Sequence, residues 1–357
     1  MTHVFVAPHP DDVALSCGGL IASLRELGQT VTILTVFSGD GSADKMTPYQ
    51  REALGFGSKA LWPNTEAFNR SDIQNDWPTA VAVPAWAAHE DRLEATQSDA
   101  DAAAKRFWQR SSWYRRASIR AESIADQPVI DDVPTQGAVY TEEIVDAAVA
   151  GDLMARRRLE DERFAYFAEA SIVFLDLPDA VFRGYEGDEE LLGMPRADDD
   201  APFHLLRQEI ARLEPQKIYF PLGVGGHVDH QLCREVGIRL LQEGRQWVMP
   251  GPDYAGIVTF YEDFPYALWN DFNSLSDLGT DPLAGLPPDV SIVPGYADIT
   301  DQLERKIMGI SLYESQLERL FDSKPEMADA VRTYGRAIAG VGDIDGSAER
   351  YWASDRV

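Results

Sequence analysis

The 357 residues are long enough to bury a substantial core and suit one large α/β domain that carries an insertion. Thirty-two basic and 59 acidic residues give a formal net charge of -27, which argues against nucleic acid or an anionic membrane surface as the main partner. The cysteines Cys17 and Cys233 require no disulfide and are interpreted as buried core thiols. With neither a secretory signal nor an apolar run of about 18 residues, a cytoplasmic protein without membrane insertion is expected.

Short apolar runs alternate with stretches of helical periodicity along most of the chain. Strands are predicted at 3–8, 30–37, 171–177, 217–221 and 256–261. Helices are predicted at 13–27, 140–169, 203–213, 231–242, 298–321 and 327–339. This order predicts a Rossmann-like α/β fold, in which a mostly parallel sheet is flanked by helices. The aromatic residues of the tail at 348–352 are expected to dock on this body.

Residues 63–136 interrupt the alternation. They hold four tryptophans and a local cluster of lysine and arginine within an acidic chain. We interpret this segment as a partly helical insertion in a single domain that spans residues 1–357. A lid or an oligomer contact would explain its aromatic residues. The preceding residues 47–62 are expected to form a short helix and a loop.

The first predicted strand ends abruptly at His9, Pro10, Asp11 and Asp12. Proline stops the strand, and either aspartate can cap the helix that follows. These polar side chains therefore lie at the carboxyl end of a strand, where open α/β sheets bind their ligands. An imidazole and two carboxylates on one such turn can supply two metal ligands and a general base.

A second polar cluster follows the predicted strand at 217–221, where glycines lead into His227, Asp229 and His230. His230 supplies the third ligand that the first cluster lacks. A catalytic zinc ion keeps three protein ligands and one open position. The candidate ligands are His9, Asp12 and His230, because the H-x-x-D spacing lets His9 and Asp12 face the same point.

Together the two motifs resemble the PIG-L/LmbE family of zinc-dependent N-deacetylases. The resemblance extends to residues 157–161, 174–180 and 260–266, and it covers roughly residues 3–62 and 146–352. It implies hydrolysis of an N-acyl group, most often N-acetyl, on a sugar or a sugar-like conjugate. It also implies Zn²⁺ as the cofactor, and Fe²⁺ is compatible with the same ligands.

Asp11, His227 and Asp229 carry the remaining roles. Asp11 would accept a proton from the attacking water and deliver it to the leaving amine. His227 would stabilise the tetrahedral oxyanion. The resemblance assigns these same roles to the matching positions, and it makes Asp229 an acid that orients a neighbouring imidazole.

Asp40, Asp179 and Arg183 are further candidates, either for contact with the substrate or for support of the ligands. Each lies close to the end of a predicted strand. Such groups are compatible with recognition of hydroxyls, but their spacing does not define a sugar. The expected partner is a small N-acylated molecule, and a homo-oligomer is compatible with the sequence.

Other functions fit parts of this pattern. Non-haem Fe(II) oxygenases also use two histidines and one carboxylate, but they do not require the additional base Asp11. A non-catalytic binding protein of the same fold would need neither Asp11 nor His227. An amidase acting on a non-sugar conjugate would use the same residues. A dinucleotide-binding enzyme is disfavoured because the first strand turn lacks G-x-G-x-x-G.

Overall fold

The computed structural model describes residues 1–39, 142–200, 202–243, 254–278 and 285–356. The predicted insertion at 63–136, the predicted helix at 47–62 and Asp40 lie outside these residues. The division into a single domain with an insertion therefore stays a prediction.

The strands of the described ranges form one seven-stranded sheet with the order β3-β2-β1-β4-β5-β7-β6. They are β1 (Thr2–Ala7), β2 (Thr30–Thr35), β3 (Ser171–Phe174), β4 (Lys217–Pro221), β5 (Val258–Tyr261), β6 (Val290–Asp298) and β7 (Ala348–Arg356). Strands β1 to β5 are mutually parallel, whereas β7 pairs antiparallel with both β5 and β6. The predicted α/β fold with a mostly parallel sheet is confirmed.

Helices cover both faces of the sheet. They are α1 (Asp12–Glu26), α2 (Glu142–Phe167), α3 (Asp188–Leu191), α4 (Phe203–Leu213), α5 (Val228–Glu243), α6 (Tyr266–Trp269), α7 (Leu303–Ile310), α8 (Glu314–Leu320) and α9 (Lys324–Val341). Within the described ranges, no helix combines the length and the apolar character needed to cross a membrane.

Alternate residues of β1 enter two separate cores. Phe5 and Ala7 pack with residues of α1, α7 and α9, while Val4 and Val6 pack with residues of α4 and α5. Burial of both faces explains why this strand reads as a continuous apolar run rather than as an alternating pattern. Cys17 and Cys233 are both buried and free, as interpreted from the sequence.

The strand order reverses between β1 and β4, and this reversal positions the site. Residues His3 to Phe5 of β1 pair with Lys217 to Tyr219 of β4. In the same register, the turn after Ala7 lies beside the turn after Pro221. The two polar clusters predicted from the sequence therefore meet at the topological switch point of the sheet.

Two sequence predictions near the carboxyl terminus need correction. The single helix predicted at 298–321 is divided into a 3₁₀ turn, α7 and α8, because the chain turns at Ser311–Tyr313 and buries Tyr313. Strand β6 was not predicted. It lies at the sheet edge and is only partly buried, so its sequence carries a weak hydrophobic pattern. The tail docks as predicted, as the antiparallel strand β7.

Asp161 of α2 links three elements of the core through its carboxylate. It accepts hydrogen bonds from the Thr35 hydroxyl at 2.7 Å and from the Tyr313 hydroxyl at 2.6 Å. Burial raises the pKa of Asp161 to about 6, and these hydrogen bonds only partly oppose the shift. The folded state therefore holds this proton more tightly than the unfolded chain does.

We predict that Asp161 makes the protein less stable as the pH rises from 4 to 6. A folded pKa above the unfolded value gives stability that is complete below the unfolded pKa and is lost through the folded pKa. Relative to Asp161→Asn, the free energy of unfolding of the wild type should fall by roughly 2 to 3 kcal/mol across this window. Urea unfolding at a series of pH values measures the difference. Asp329→Asn, at an exposed aspartate, is the control, and parallel curves for wild type and Asp161→Asn would contradict the assignment.

Candidate metal centre

In the turn after β1, the side chains of the adjacent residues Asp11 and Asp12 point to different partners. Asp12 begins α1, and its Oδ2 accepts the backbone N–H of His9 at 2.7 Å. Asp11 adopts φ 110°, a conformation that costs a non-glycine residue about 1 to 3 kcal/mol. Its carboxylate lies near Arg157 of α2, with 3.9 Å between Oδ1 and a guanidinium nitrogen. Asp11 and Asp12 thus have different partners although they are neighbours in sequence.

The three predicted ligands converge around one carboxylate oxygen. Oδ2 of Asp12 lies 3.1 Å from Nδ1 of His9 and 3.3 Å from Nε2 of His230. All three side chains are buried. The structure therefore brings together the first motif, at the start of α1, and the second motif, in the first turn of α5.

The other nitrogen of each imidazole is held by a second carboxylate. Nε2 of His9 lies 2.9 Å from Oδ2 of Asp229, and Nδ1 of His230 lies 2.5 Å from Oδ1 of Asp263. Such carboxylate contacts fix the orientation and the tautomer of metal-binding histidines. The resemblance implies that Asp229 orients a neighbouring imidazole, and the imidazole that it contacts through its carboxylate is His9.

These distances fit a divalent metal. Tetrahedral ligands with bonds of about 2.0 to 2.1 Å to zinc are separated by about 3.3 to 3.4 Å. The distances from Asp12 Oδ2 to Nδ1 of His9 and to Nε2 of His230, 3.1 and 3.3 Å, are close to this value. These two nitrogens are the ones that Asp229 and Asp263 do not contact. His9, Asp12 and His230 would hold the ion, and two imidazoles with one carboxylate are donors that suit zinc.

His227 lies beside the three ligands. One of its ring nitrogens is within 4.8 Å of nitrogens of His9 and His230. Nδ1 accepts the backbone N–H of Asp229 at 3.2 Å, which leaves Nε2 as the donor of a neutral imidazole. Burial and the neighbouring His9 hold the pKa of His227 well below its ordinary value, which agrees with a neutral ring.

Burial and the adjacent Asp12 raise the pKa of Asp11 to about 8, while the Arg157 guanidinium opposes the shift. His9 behaves differently. Burial lowers its pKa, but the surrounding carboxylates, led by Asp179, outweigh burial and raise the pKa to about 9. The electrostatic environment of the cluster thus favours a positive charge at its centre.

Asp179 and Arg183 support the cluster rather than remaining open to solvent. Asp179 accepts the Val181 N–H at 3.1 Å, and its other oxygen lies 3.6 Å from Nε2 of His9. Arg183 contacts Asp229 at 2.5 Å and Asp199 at 2.9 Å. Of the two roles considered for them, support is therefore favoured over contact with substrate.

Asp263 and Arg157 were not among the site residues predicted from the sequence. Asp263 closely follows β5 and lies in a segment noted only for its family resemblance. The rule that functional residues follow parallel strands could have identified it. Arg157 lies within a helix rich in charges, a pattern more typical of a solvated face, although the family resemblance of residues 157–161 also allows a buried brace or a substrate contact.

The amino-terminal part of the chain matches the model of a known protein family. The model of the PIG-L family, described as GlcNAc-PI de-N-acetylase, matches residues 4–61. The predicted resemblance to the PIG-L family is confirmed. This match includes the first motif, with His9, Asp11 and Asp12.

Two 2'-N-acetylparomamine deacetylases are similar in sequence. The protein of Niallia circulans is 27% identical over 281 residues, which are 76% of this chain and 68% of that protein. The protein of Streptomyces fradiae is 30% identical over 166 residues, which are 46% of this chain and 54% of that protein.

Two solved structures share the fold. The A40926 pseudoaglycone deacetylase Dbv21 superposes with a TM-score of 0.54 at 18% identity, covering 99% of this chain and 97% of that one. A triple mutant of a deacetylase from the teicoplanin biosynthetic pathway gives 0.55 at 18% identity, covering 100% and 99%. At this identity the likeness establishes the α/β architecture.

We predict that Asp263→Asn weakens zinc binding about 10- to 100-fold, because the amide no longer fixes Nδ1 of His230. Competition with a chromophoric chelator measures the affinity of the purified protein. Asp263 also accepts two backbone N–H groups, from Gly223 and Val224. Asp277→Asn is the matched control, since Asp277 accepts the backbone N–H groups of Asn273 and Ser274 but contacts no histidine. Equal affinities for wild type and Asp263→Asn would refute this role of Asp263.

Proposed function

We propose that this protein is a zinc-dependent N-deacetylase that hydrolyses the N-acetyl group of an amino sugar or a sugar conjugate. The observation that carries the proposal is the position of Asp11 and His227 beside the triad His9, Asp12 and His230. A binding protein would need the triad at most, whereas hydrolysis also needs a base and an oxyanion donor.

A zinc ion held by the triad would supply Lewis acidity toward the amide carbonyl and lower the pKa of water. Asp11 takes the proton of the attacking water and passes it to the nitrogen of the leaving amine. The C–N bond breaks as that nitrogen is protonated, so acetate and a free amine are the products.

His227 stabilises the oxyanion of the tetrahedral intermediate. Its Nδ1 is occupied by the Asp229 N–H, so Nε2–H is the group that donates. A donor prepared in this way costs no reorganisation during the reaction. Asp229 therefore serves two imidazoles, His9 through its carboxylate and His227 through its backbone.

The substrate class is supported by the relatives, whose names specify a 2'-N-acetyl group on paromamine. The described residues do not by themselves select a sugar, because Asp179 and Arg183 are engaged with protein groups. A small N-acetylated amino sugar is accordingly the first substrate to test. Fe²⁺ would fit the same donors, and zinc is proposed as the resident metal.

We expect Asp11→Asn to lower kcat about 10²- to 10⁴-fold and His227→Ala about 10²- to 10³-fold, with zinc still bound in both variants. His230→Ala should lose the metal as well as the activity. Amine release from 2'-N-acetylparomamine and from N-acetylglucosamine gives the rates, and metal analysis of the same samples gives the zinc content. His204→Ala, at an exposed histidine of α4, is the control.

The results separate the parts of the proposal. A wild type that binds zinc but releases amine from no N-acetylated sugar would refute the substrate class. A wild type that binds no zinc after reconstitution would refute the metal centre. Full activity of Asp11→Asn would refute the assignment of the base.

A further inference from the structure

Glu262 lies next to Asp263 in sequence and is enclosed by three donors from the carboxyl-terminal part of the chain. Its side chain is 2% exposed. Oε1 accepts the Trp352 indole N–H at 2.7 Å and the Arg350 Nε–H, and Oε2 accepts the Tyr334 hydroxyl. We call Tyr334, Arg350 and Trp352 the clamp. Its members come from α9 and β7, far from both metal motifs in sequence.

Arg350 of the clamp also binds the backbone about ten residues after Glu262. The two terminal nitrogens of Arg350 donate to the carbonyls of Phe272 and Asn273 at 3.1 and 3.0 Å. Burial of a carboxylate is costly unless hydrogen bonds and an opposite charge compensate it. The pKa of Glu262 is raised by burial, and the clamp opposes that shift. Glu262 is therefore bound firmly to β7 and α9.

Asp263 makes equally specific contacts with the metal centre. Its Oδ2 accepts the N–H groups of Gly223 and Val224 at 2.7 and 2.9 Å, and its Oδ1 contacts His230. The next residue, Phe264, donates its N–H to the Ser16 hydroxyl of α1 at 3.2 Å. Three consecutive residues thus join the carboxyl-terminal elements, the glycine turn before α5 and the helix α1.

We propose that the clamp positions Asp263, through Glu262, and thereby fixes the imidazole of His230 at the metal centre. Strand β5 ends at Tyr261, so the sheet ladder no longer holds the backbone at Glu262 and Asp263. The clamp adds a side-chain restraint at this point to the hydrogen bond that the Ala267 N–H donates to the Asp263 carbonyl at 2.8 Å. The antiparallel strand β7 then supports the metal centre as well as extending the sheet beyond β5.

This inference rests on the metal centre of the proposed function. A positioning role of the clamp differs from a merely structural role in one measurable respect. Loss of a core hydrogen bond lowers the stability of the protein wherever the bond lies, whereas loss of a hydrogen bond that restrains Asp263 also lowers the affinity for the metal.

The experiment compares Trp352→Phe and Tyr334→Phe with Ser354→Ala in the full chain. Each clamp variant removes one donor to Glu262 and keeps an aromatic ring in place. Ser354 is also buried in β7, and its hydroxyl donates to the Val258 carbonyl at 2.6 Å without contacting Glu262. The probe is zinc alone, titrated into metal-free protein against a chromophoric chelator, with the melting temperature of the metal-free protein measured in parallel.

We expect each clamp variant to bind zinc about tenfold more weakly, by analogy with the loss of outer partners of metal ligands. Ser354→Ala should melt earlier yet bind zinc as the wild type does. Wild-type affinity in both folded clamp variants would overturn the inference while leaving the proposed function intact. A wild type that does not bind zinc would overturn both. An equal loss of affinity in Ser354→Ala would also overturn it, because general destabilisation would then explain the effect.

Discussion

Two buried hydrogen bonds between carboxylates and imidazoles determine which atoms face the centre of the site. Asp229 holds Nε2 of His9, and Asp263 holds Nδ1 of His230, so the remaining nitrogens of both rings lie beside Asp12. Rotation of either ring would break a buried hydrogen bond to a carboxylate, at a cost of about 1 to 3 kcal/mol. The geometry of the triad is thus imposed by residues outside it.

The balance of charge in the cluster follows from the same contacts. Its buried carboxylates outnumber its guanidinium groups, since Arg157 and Arg183 lie among Asp11, Asp12, Asp179, Asp229 and Asp263. Without a metal, protonation offsets this excess, since the pKa of Asp11 is raised to about 8 and that of His9 to about 9. A divalent cation between the imidazoles and Asp12 would offset it instead and would let both rings remain neutral. Structural stability and catalysis would then depend on the same ion.

The backbone conformation gives Asp11 and Asp12 different partners. Asp12 lies in the first turn of α1 and contacts both histidines. The φ angle of 110° at Asp11 instead directs the Asp11 carboxylate toward Arg157. Strain of this kind persists only where the surroundings fix the backbone, and it is concentrated at functional sites. Here the bond from the Leu15 N–H to the Asp11 carbonyl joins the turn to the helix. The strained residue is the one proposed as the base.

The sequence by itself determined the parallel strands and the helices around them, and it predicted a site made of His9, Asp11, Asp12, His227 and His230. Apolar runs and their periodicity encode local structure, and polar residues after two such strands must share one sheet edge. Only the tertiary structure decided that Asp263 holds His230, that Arg183 is engaged with Asp229, and that Glu262 is bound to β7. These contacts join residues distant in sequence through side chains whose types are common in any acidic protein. Their meaning depends on strand order and register, which a local pattern does not contain.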